Sequence, residues 1–339
     1  MTAITTPTTT SATLSATVPD APARTATPRH FLMCPPTYFD VVYEINPWMD
    51  LGVPVDTDRA LAQWAALKAA YEAHGHTVEV IDPVPGLPDM VYAANGGVVV
   101  GGRALAARFT YPERQPEGGA YEAWFAAAAA HGVVSLGQAA EQNEGEGDLL
   151  LAGDVMLAGT GFRTSRPAHA EVAERLGVDV VTLELVDPRY YHLDTALAVL
   201  DAGGTAAGGP AGSHVGSSVG PVVAYLPEAF SPASRAVLAE RFPDAVLATP
   251  RDAAVLGLNA VSDGRHVFLT DRATGMHDLL RERGFEPVGI DLSELLKGGG
   301  SVKCCTLELR TAPDRPTTDP RTSVHTTHPT TNAAREARA

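Results

Sequence analysis

The sequence repeats one local pattern along most of its length: a short apolar strand, a tight glycine turn, a second strand, a helix and a third strand. Three copies are plain, and they begin at GGVVVGGRALAARF, LLLAGDVMLAG and NAVSDGRHVFLT. A fainter copy begins at TALAVLDAGG and contains a Gly/Ser-rich loop over residues 203–220. The remaining pieces, RHFLMC, TDRALAQWAALKAAYEAHG, HTVEVID and CCTLELR, are interpreted as a fifth unit closed by both ends of the domain. Because each ββαβ unit alone leaves one sheet face uncovered, the repeat predicts an α/β fold in which the units pack radially.

A doubly wound sheet is the alternative architecture for an α/β sequence. It would need a phosphate-binding glycine fingerprint between a strand and the helix that follows it. No such fingerprint follows any of the predicted strands. Radial packing of the repeats is therefore the favoured interpretation.

The two ends of the chain differ from the repeated region in composition. Residues 1–28 and 312–339 are rich in Thr, Ala and Pro and contain few large apolar side chains. Such segments cannot bury enough surface to offset the entropy lost on ordering, so both are predicted to be disordered tails. His325 and His328 of the second tail have no carboxylate or cysteine beside them, which disfavours a metal site there. Residues 29–311 are predicted to form a single domain.

Charge and cysteine content exclude several kinds of partner. The formal net charge of −15 opposes binding to nucleic acid and to anionic lipid. The odd count of three cysteines, without repeated spacing, disfavours a disulfide framework and a four-ligand zinc site. No apolar run is long enough for a membrane span, and the first residues lack the features of a signal peptide. These observations predict a cytoplasmic protein with reduced thiols.

Three residues stand where a strand of a repeat begins and carry side chains suited to catalysis: Cys304 after a glycine run, His192 in YYHLDTAL and Glu144 in NEGEGDLLLAG. Each has an ordinary alternative, because free cysteines are usually small core hydrophobes, single histidines are often structural, and EGEGD is also a solvated acidic turn. Their shared position at one end of a radial architecture predicts one common site. Strand alternation is expected to send Cys304 and Cys305 to opposite faces, so that only one of them faces that site.

Five stretches of the sequence carry a resemblance to a known family: FLMCPPTYFDVVYEINPWM, PDMVYAANGG, NEGEGDLLLAGDVMLAGTGFRTS, YYHLDTALAVLD and GGGSVKCCTLEL. In their order and intervals they resemble the guanidine-modifying amidinohydrolase and amidinotransferase superfamily over about residues 29–311. Within it the sequence is most similar to the dimethylarginine dimethylaminohydrolase group and to the arginine dihydrolases, the latter suggested by INPWM and AANGG. The resemblance implies a five-bladed α/β-propeller, the pentein fold, with one catalytic domain.

The resemblance also implies a catalytic set. The nucleophilic cysteine of the family falls on Cys304, and the histidine of its HLxT motif falls on His192. Its glutamate falls on Glu144, although the second glutamate of EGEGD leaves Glu146 as a competing assignment.

Five further residues are expected, by the same resemblance, to bind the substrate. Asn95, where many relatives have an aspartate, and Asp89 are expected to hold the guanidinium. Arg114 and Arg163 match positions that bind the α-carboxylate, a task that suits a planar guanidinium fork. Asn46 is expected to contact either end of the substrate.

The implied reaction is hydrolysis at a guanidinium carbon through a covalent thiouronium on the cysteine, with no cofactor or metal. The expected small-molecule substrate is arginine or N-methylated arginine. Asn95 favours the arginine dihydrolase outcome, in which arginine yields ornithine, ammonia and carbon dioxide. The alternative is dimethylarginine dimethylaminohydrolase activity, which yields citrulline and dimethylamine. An amidinotransferase, a non-catalytic arginine-binding propeller and homo-oligomerisation also remain open.

Overall fold

The computed structural model of the chain describes residues 24–203 and 220–311. Residues 1–23 and 312–339, which the sequence predicts to be disordered, lie outside the described residues. Most of the Gly/Ser-rich loop lies outside them as well. The strands are β1 (His30–Met33), β2 (Thr77–Val80), β3 (Gly97–Val100), β4 (Arg103–Ala106), β5 (Val134–Gln138), β6 (Leu149–Ala152), β7 (Val155–Thr160), β8 (Asp179–Glu184), β9 (Leu197–Asp201), β10 (Val222–Tyr225), β11 (Val246–Leu247), β12 (Val261–Ser262), β13 (His266–Thr270), β14 (Glu286–Ile290) and β15 (Leu307–Glu308). The helices are α1 (Thr57–Ala73), α2 (Gln115–Ala127), α3 (Arg166–Leu176), α4 (Leu193–Ala196), α5 (Pro232–Arg241), α6 (Pro250–Ala253) and α7 (Thr274–Glu282). Within the two described ranges, no helix has both the length and the apolar character needed to cross a bilayer.

The described strands form five three-stranded sheets, in the orders β3-β4-β5, β6-β7-β8, β9-β10-β11, β12-β13-β14 and β15-β1-β2. In every sheet the first two strands are antiparallel, and the second and third are parallel. One helix of nine or more residues lies between the second and third strand of each sheet: α2, α3, α5, α7 or α1. The predicted ββαβ repeat and the five-bladed α/β-propeller are therefore confirmed.

The first strands of neighbouring blades lie side by side around the propeller axis. β15 contacts β3 through a bridge between Leu309 and Val99, and β9 contacts both β6 and β12. All residues of β3 and β6 are buried. Segments that enter these first strands therefore meet at one end of the axis.

Helix α1 anchors the blade that both ends of the domain build. It begins where the side chain of Asp56 accepts a hydrogen bond of 3.0 Å from the main-chain N–H of Arg59. Its buried side chains recur at intervals of three and four residues, as expected for one helix face: Ala60, Gln63, Trp64, Leu67 and Tyr71. The ring of Tyr71 lies 4.6 Å from that of Phe31 in β1, and its hydroxyl is 2.9 Å from that of Thr306 just before β15. The helix thus ties both closing strands together.

The described residues before β1 also contact the propeller. Arg24 donates a 3.2 Å hydrogen bond to Asp201 and lies over the ring of Phe285. The main-chain N–H of Thr27 donates to the carbonyl of Asp263 at 2.9 Å. The predicted tail of residues 1–28 therefore includes residues at its end that pack on the domain.

The segment that carries the two adjacent cysteines is a turn and not the start of a strand, so the strand-alternation argument was wrong. The main-chain N–H of Cys305 donates to the carbonyl of Ser301 at 3.2 Å, and that of Thr306 donates to Lys303 at 2.9 Å. These bonds close consecutive turns before β15 begins at Leu307. Both cysteines are buried.

Three consecutive glycines allow this turn to approach the core. Gly299 has a φ of +89°, a left-handed conformation that favours glycine. A Cβ on Gly300 would overlap the ring of Tyr92 and would lie 3.0 Å from Cβ of Cys304. A Cβ on Gly298 would overlap the hydroxyl of Tyr92. The glycine run is therefore required by close packing under the turn.

We expect Gly300→Ala to destabilise the protein by about 1–3 kcal/mol, because the added methyl has to displace a buried aromatic ring. Gly119→Ala is the matched control, since Gly119 lies within α2 and a methyl added there would have no neighbour within 4 Å. That control should be neutral or stabilising by up to about 1 kcal/mol. Thermal and urea unfolding of the two variants measure the difference, and equal stabilities would contradict the packing argument.

Candidate active site

Each blade contributes at least one buried polar or thiol side chain from the segment that enters its first strand. Before β3, β6, β9, β12 and β15 these are, in order, Asn95, Glu144, His192, Asn259 and Cys304. Because the first strands surround one axis, the five segments converge at one end of the propeller. Sequence analysis had predicted three of them to share a catalytic site and Asn95 to bind substrate.

A buried ion pair orients the histidine. Glu144 Oε2 lies 2.8 Å from Nε2 of His192 and accepts a 2.9 Å hydrogen bond from Arg163. The guanidinium of Arg163 lies between the rings of Tyr111 and Tyr191, 4.5 and 4.6 Å from their centroids. Burial alone would raise the pKa of Glu144, but the charge of Arg163 and the hydrogen bond with His192 hold it well below its usual value. An ionised carboxylate can only accept, so a neutral His192 beside ionised Glu144 has its ring proton on Nε2. The other ring nitrogen, Nδ1, is then the free acceptor.

The competing glutamate belongs to a different cluster. Glu146 Oε2 accepts hydrogen bonds from Lys303 Nζ at 2.7 Å and from the main-chain N–H of Glu308 at 3.0 Å. Its other oxygen pairs with Arg310. The geometry therefore favours Glu144 over Glu146 as the partner of His192.

The Cys304 thiol faces a carboxylate and an amide. Its Sγ lies 3.2 Å from Asp194 Oδ2, to which it donates, and it accepts from Asn259 Nδ2 at 3.1 Å. Burial raises the pKa of this thiol well above its usual value, and the Asp194 carboxylate raises it further. Burial also raises the pKa of Asp194 to about 7, against the lowering effect of Lys303. Without a cation beside it, the thiol is therefore held in its protonated form.

Asn259 joins the cysteine turn to the histidine segment. Its side-chain oxygen accepts from the main-chain N–H groups of Ser301 and Cys304, at 3.1 and 3.0 Å. Its amide also lies 3.2 Å from the carbonyl oxygen of Asp194. One buried amide thus sets the position of the sulfur relative to the Asp194 carboxylate.

A second buried cluster surrounds Asn95. Arg114 forms two hydrogen bonds of 2.9 Å with Glu117 and a third of 2.9 Å with the side-chain oxygen of Asn95. Arg114 Nη2 also donates to the Asp89 carbonyl at 3.3 Å, and Tyr43 donates to Asp89 Oδ2 at 3.0 Å. Burial raises the pKa of Asp89, and it raises that of Glu117 to about 7. The cluster positions Asp89 and Asn95 together.

The other predicted substrate-binding residues also have protein partners. Arg163 donates to the Ile45 carbonyl at 2.8 Å as well as to Glu144, and Arg114 is bonded to Glu117. Asn46 donates to the carbonyl of Gly298 at 3.1 Å and so contacts the glycine run before Cys304. A role of these residues in binding a substrate carboxylate stays a prediction.

Four buried polar atoms around this end of the axis have no hydrogen-bond partner within the described chain: Asp89 Oδ1, Asn95 Nδ2, His192 Nδ1 and Asp194 Oδ1. Buried polar groups without partners are costly, and they are common where a ligand binds. The set offers two carboxylate oxygens, one amide donor and one imidazole nitrogen. Such a site can receive hydrogen bonds from a planar cation and exchange a proton beside it.

Sequence reasoning missed Asp194 and Asn259. Asp194 lies two residues after His192 in HLD, and Asn259 opens its repeat as Glu144 and His192 open theirs. A comparison of equivalent positions in all five repeats would have found Asn259. Nothing in the sequence indicates that the side chain of Asp194 reaches the sulfur.

We expect Asn259→Asp to raise the pKa of the Cys304 thiol by about one unit or more, because a carboxylate replaces the amide donor. The two main-chain N–H groups that Asn259 accepts from favour the ionised form of the new side chain. The rate of alkylation by iodoacetamide, measured against pH with peptide mapping, reports the shift. Cys304→Ala gives the background from Cys34 and Cys305, whose thiol pKa values burial also raises. An unchanged alkylation profile in a folded variant would contradict this role.

Comparison with known proteins gives close relatives, although no family model matches the chain. The chain is 51% identical over 286 residues to the N(G),N(G)-dimethylarginine dimethylaminohydrolase of Mycobacterium tuberculosis, covering 84% of this chain and 87% of the relative. It is 34% identical to the bifunctional arginine dihydrolase/ornithine cyclodeaminase ArgZ of Synechocystis, covering 82% of this chain and 37% of that longer protein. The crystal structure of the substrate-bound N-terminal domain of ArgZ, an arginine dihydrolase from cyanobacteria, superimposes with a TM-score of 0.73 at 32% identity, covering 84% of this chain and 98% of that domain.

Each of these similarities covers more than four fifths of the chain. The predicted family and the predicted type of enzyme are confirmed. The chain belongs to the pentein-fold amidinohydrolases, the family of dimethylarginine dimethylaminohydrolase and arginine dihydrolase, and it is a hydrolase of C–N bonds.

Proposed function

We propose that the chain hydrolyses N(G),N(G)-dimethylarginine to citrulline and dimethylamine. The observation that carries the proposal is the set of unpartnered atoms on Asp89, Asn95, His192 and Asp194, which matches a cationic guanidinium. The 51% identity to a dimethylarginine dimethylaminohydrolase supports the methylated substrate over free arginine. The dihydrolase outcome that sequence analysis favoured becomes the second candidate.

Guanidinium binding is the first step. The free oxygens of Asp89 and Asp194 accept hydrogen bonds from the remaining N–H groups of the substrate, and charge-assisted bonds of this kind are the stronger ones. Both carboxylates carry pKa values raised by burial, so a bound cation favours their ionised forms. The site therefore gains most from a ligand that is positive and planar.

The substrate also activates the nucleophile. Before substrate binds, the Asp194 carboxylate opposes ionisation of Cys304. A guanidinium beside Asp194 compensates that charge, which lowers the pKa of the thiol and allows sulfur to attack the guanidinium carbon. The thiol proton passes to Nδ1 of His192, the nitrogen without a partner.

His192 then serves both halves of the reaction. The imidazolium donates its proton to the departing dimethylamine as the C–N bond breaks, which leaves a thiouronium on Cys304. The neutral ring next takes a proton from water as the water oxygen bonds to the same carbon, and breakage of the C–S bond releases citrulline. Glu144 keeps the ring oriented and its carboxylate stabilises the imidazolium, while Arg163 holds Glu144 in place.

Asn95 is the specific observation that favours the second candidate, an arginine dihydrolase. Its free Nδ2 is a donor, whereas its oxygen is occupied by Arg114. An amide donor can hold the oxygen of a neutral ureido group, which a carboxylate cannot do. Retention of a citrulline-like product would permit a second hydrolysis to ornithine, ammonia and carbon dioxide.

A product assay separates the candidates. With dimethylarginine, we expect citrulline and dimethylamine in equal amounts, and with arginine much slower turnover. Rapid formation of ornithine from arginine would reject the dimethylargininase proposal and support the dihydrolase, and Asn95→Asp should then shift the product towards citrulline. A new guanidino product in the presence of glycine would indicate an amidinotransferase instead.

The adjacent cysteines provide a matched pair for the nucleophile. We expect Cys304→Ala to reduce turnover by more than about 1,000-fold, since the covalent route is lost. Cys305→Ala should retain most activity, because the thiol that contacts the Asp194 carboxylate and the Asn259 amide belongs to Cys304. Steady-state turnover of dimethylarginine and mass spectrometry of quenched enzyme measure both effects. Equal losses in two folded variants would reject Cys304 as the nucleophile.

A further inference from the structure

Two histidines and a glutamate converge at the junction of two blades, away from the axis cluster. His30 belongs to β1 and Glu79 to β2, while His131 ends the 3-10 turn that follows α2. One nitrogen of each histidine lies close to Glu79 Oε1, at 3.1 Å for His30 Nε2 and 3.2 Å for His131 Nδ1. All three donor atoms lie within 4.8 Å of one another, and among the described residues this is the group with that arrangement.

Neighbouring rings hold the two imidazoles in place. Trp124 of α2 stacks on His131 with an interplanar angle of 16° and a centroid distance of 5.8 Å. The rings of His30 and His131 meet edge to face at 6.0 Å. The parallel strands β1 and β2 pair His30 with Thr77, which places Glu79 two residues further along the adjacent strand. Three different elements therefore aim their ligand atoms at one point.

We propose that His30, Glu79 and His131 bind a divalent transition-metal ion of the Zn²⁺ class. Two imidazole nitrogens and one carboxylate are a common protein ligand set for Zn²⁺, and they suit it better than the oxygen-preferring Ca²⁺ or Mg²⁺. The side chains are 24%, 29% and 35% exposed, so water can supply a fourth ligand. The net charge of −15 favours cations near the surface.

The ion would link two blades. His30 and Glu79 lie in the sheet β15-β1-β2, whereas His131 lies between α2 and β5 of the neighbouring sheet β3-β4-β5. An ion that binds the folded chain and not the unfolded chain raises thermal stability with its concentration. Among the described residues, the polar side-chain contacts of the three ligands are with one another and not with the hydrolytic cluster. The metal is therefore a structural staple in this proposal, and turnover does not require it.

Sequence reasoning expected no metal, and the reason is the spacing of the ligands. His30 and Glu79 are 49 residues apart, and His131 lies in another repeat. Motif spacing for zinc depends on ligands that are close in the chain. Only the closure of the propeller brings these three side chains together.

The test titrates the full chain, first stripped with EDTA, with ZnCl₂ by calorimetry and by thermal unfolding. The wild type should bind one ion at this site and show a raised melting temperature. His131→Ala and Glu79→Gln should each weaken this binding by more than about tenfold and abolish the thermal shift, because even loss of an outer-shell partner weakens metal sites by 10–100-fold. Glu79→Gln keeps the side-chain shape and remains informative if His131→Ala folds poorly.

His266→Ala is the matched control, since His266 also contacts two carboxylates, Asp263 and Glu286, but belongs to no three-ligand group among the described residues. It should retain the binding of the wild type. Titration with Co²⁺ distinguishes the Cys304 cluster, because thiolate ligation produces a strong near-ultraviolet charge-transfer band. Zn²⁺ binding that is unchanged in both His131→Ala and Glu79→Gln, or that is lost only in Cys304→Ala, would overturn the proposal.

Discussion

A buried carboxylate needs a positively charged partner. Two buried glutamates, Glu144 and Glu146, are separated by a single residue in the sequence and lie near the propeller axis. Glu144 is paired with Arg163 and His192, whereas Glu146 is paired with Lys303 and Arg310. Leaving such a charge unpaired costs about 3–5 kcal/mol, so both pairings constrain the backbone between them. The glycines on either side of Glu146 allow the backbone to take up this conformation. A Cβ on Gly145 would collide with main-chain atoms of the blade β3-β4-β5, and a Cβ on Gly147 would collide with the Asn95 amide. His192 is therefore positioned by the same electrostatics that hold two blades together.

The chemistry of the site follows from the burial of its ionisable groups and from an excess of hydrogen-bond acceptors over donors. Burial raises the pKa of Cys304 and of Asp194, and the two groups share a short contact, so the cluster by itself favours neutral forms. A planar cation reverses this balance, since it satisfies free carboxylate oxygens and removes the charge that opposes a thiolate. In the proposed reaction, ionisation of the Cys304 thiol is thus coupled to binding of the cationic substrate.

The blade β15-β1-β2 has two tasks. It closes the ring from segments at opposite ends of the domain, with Tyr71 of α1 reaching both β1 and Thr306. It also contains β15, which follows the Cys304 turn, and it carries two of the proposed metal ligands on β1 and β2. Closure of the propeller therefore positions Cys304, the nucleophile of the proposed reaction, and a metal staple at the outer junction would stabilise that closure without entering the reaction.

The sequence by itself determined the repeated ββαβ unit, because strand, turn and helix periodicities depend on neighbouring residues. It also predicted that Cys304, His192 and Glu144 share one site, since each opens a repeat and the repeats pack radially. The sequence left open whether Glu144 or Glu146 is the partner of His192. The tertiary structure was needed to decide, because the two identical side chains differ only in the basic residues that they contact. The turn around Cys304 was mistaken for a strand, since its hydrogen bonds to Asn259 come from another blade. Asp194, Asn259 and the junction of His30, Glu79 and His131 likewise depend on contacts between distant segments. Local propensity predicts elements, whereas burial and charge pairing between blades decide which polar side chains meet.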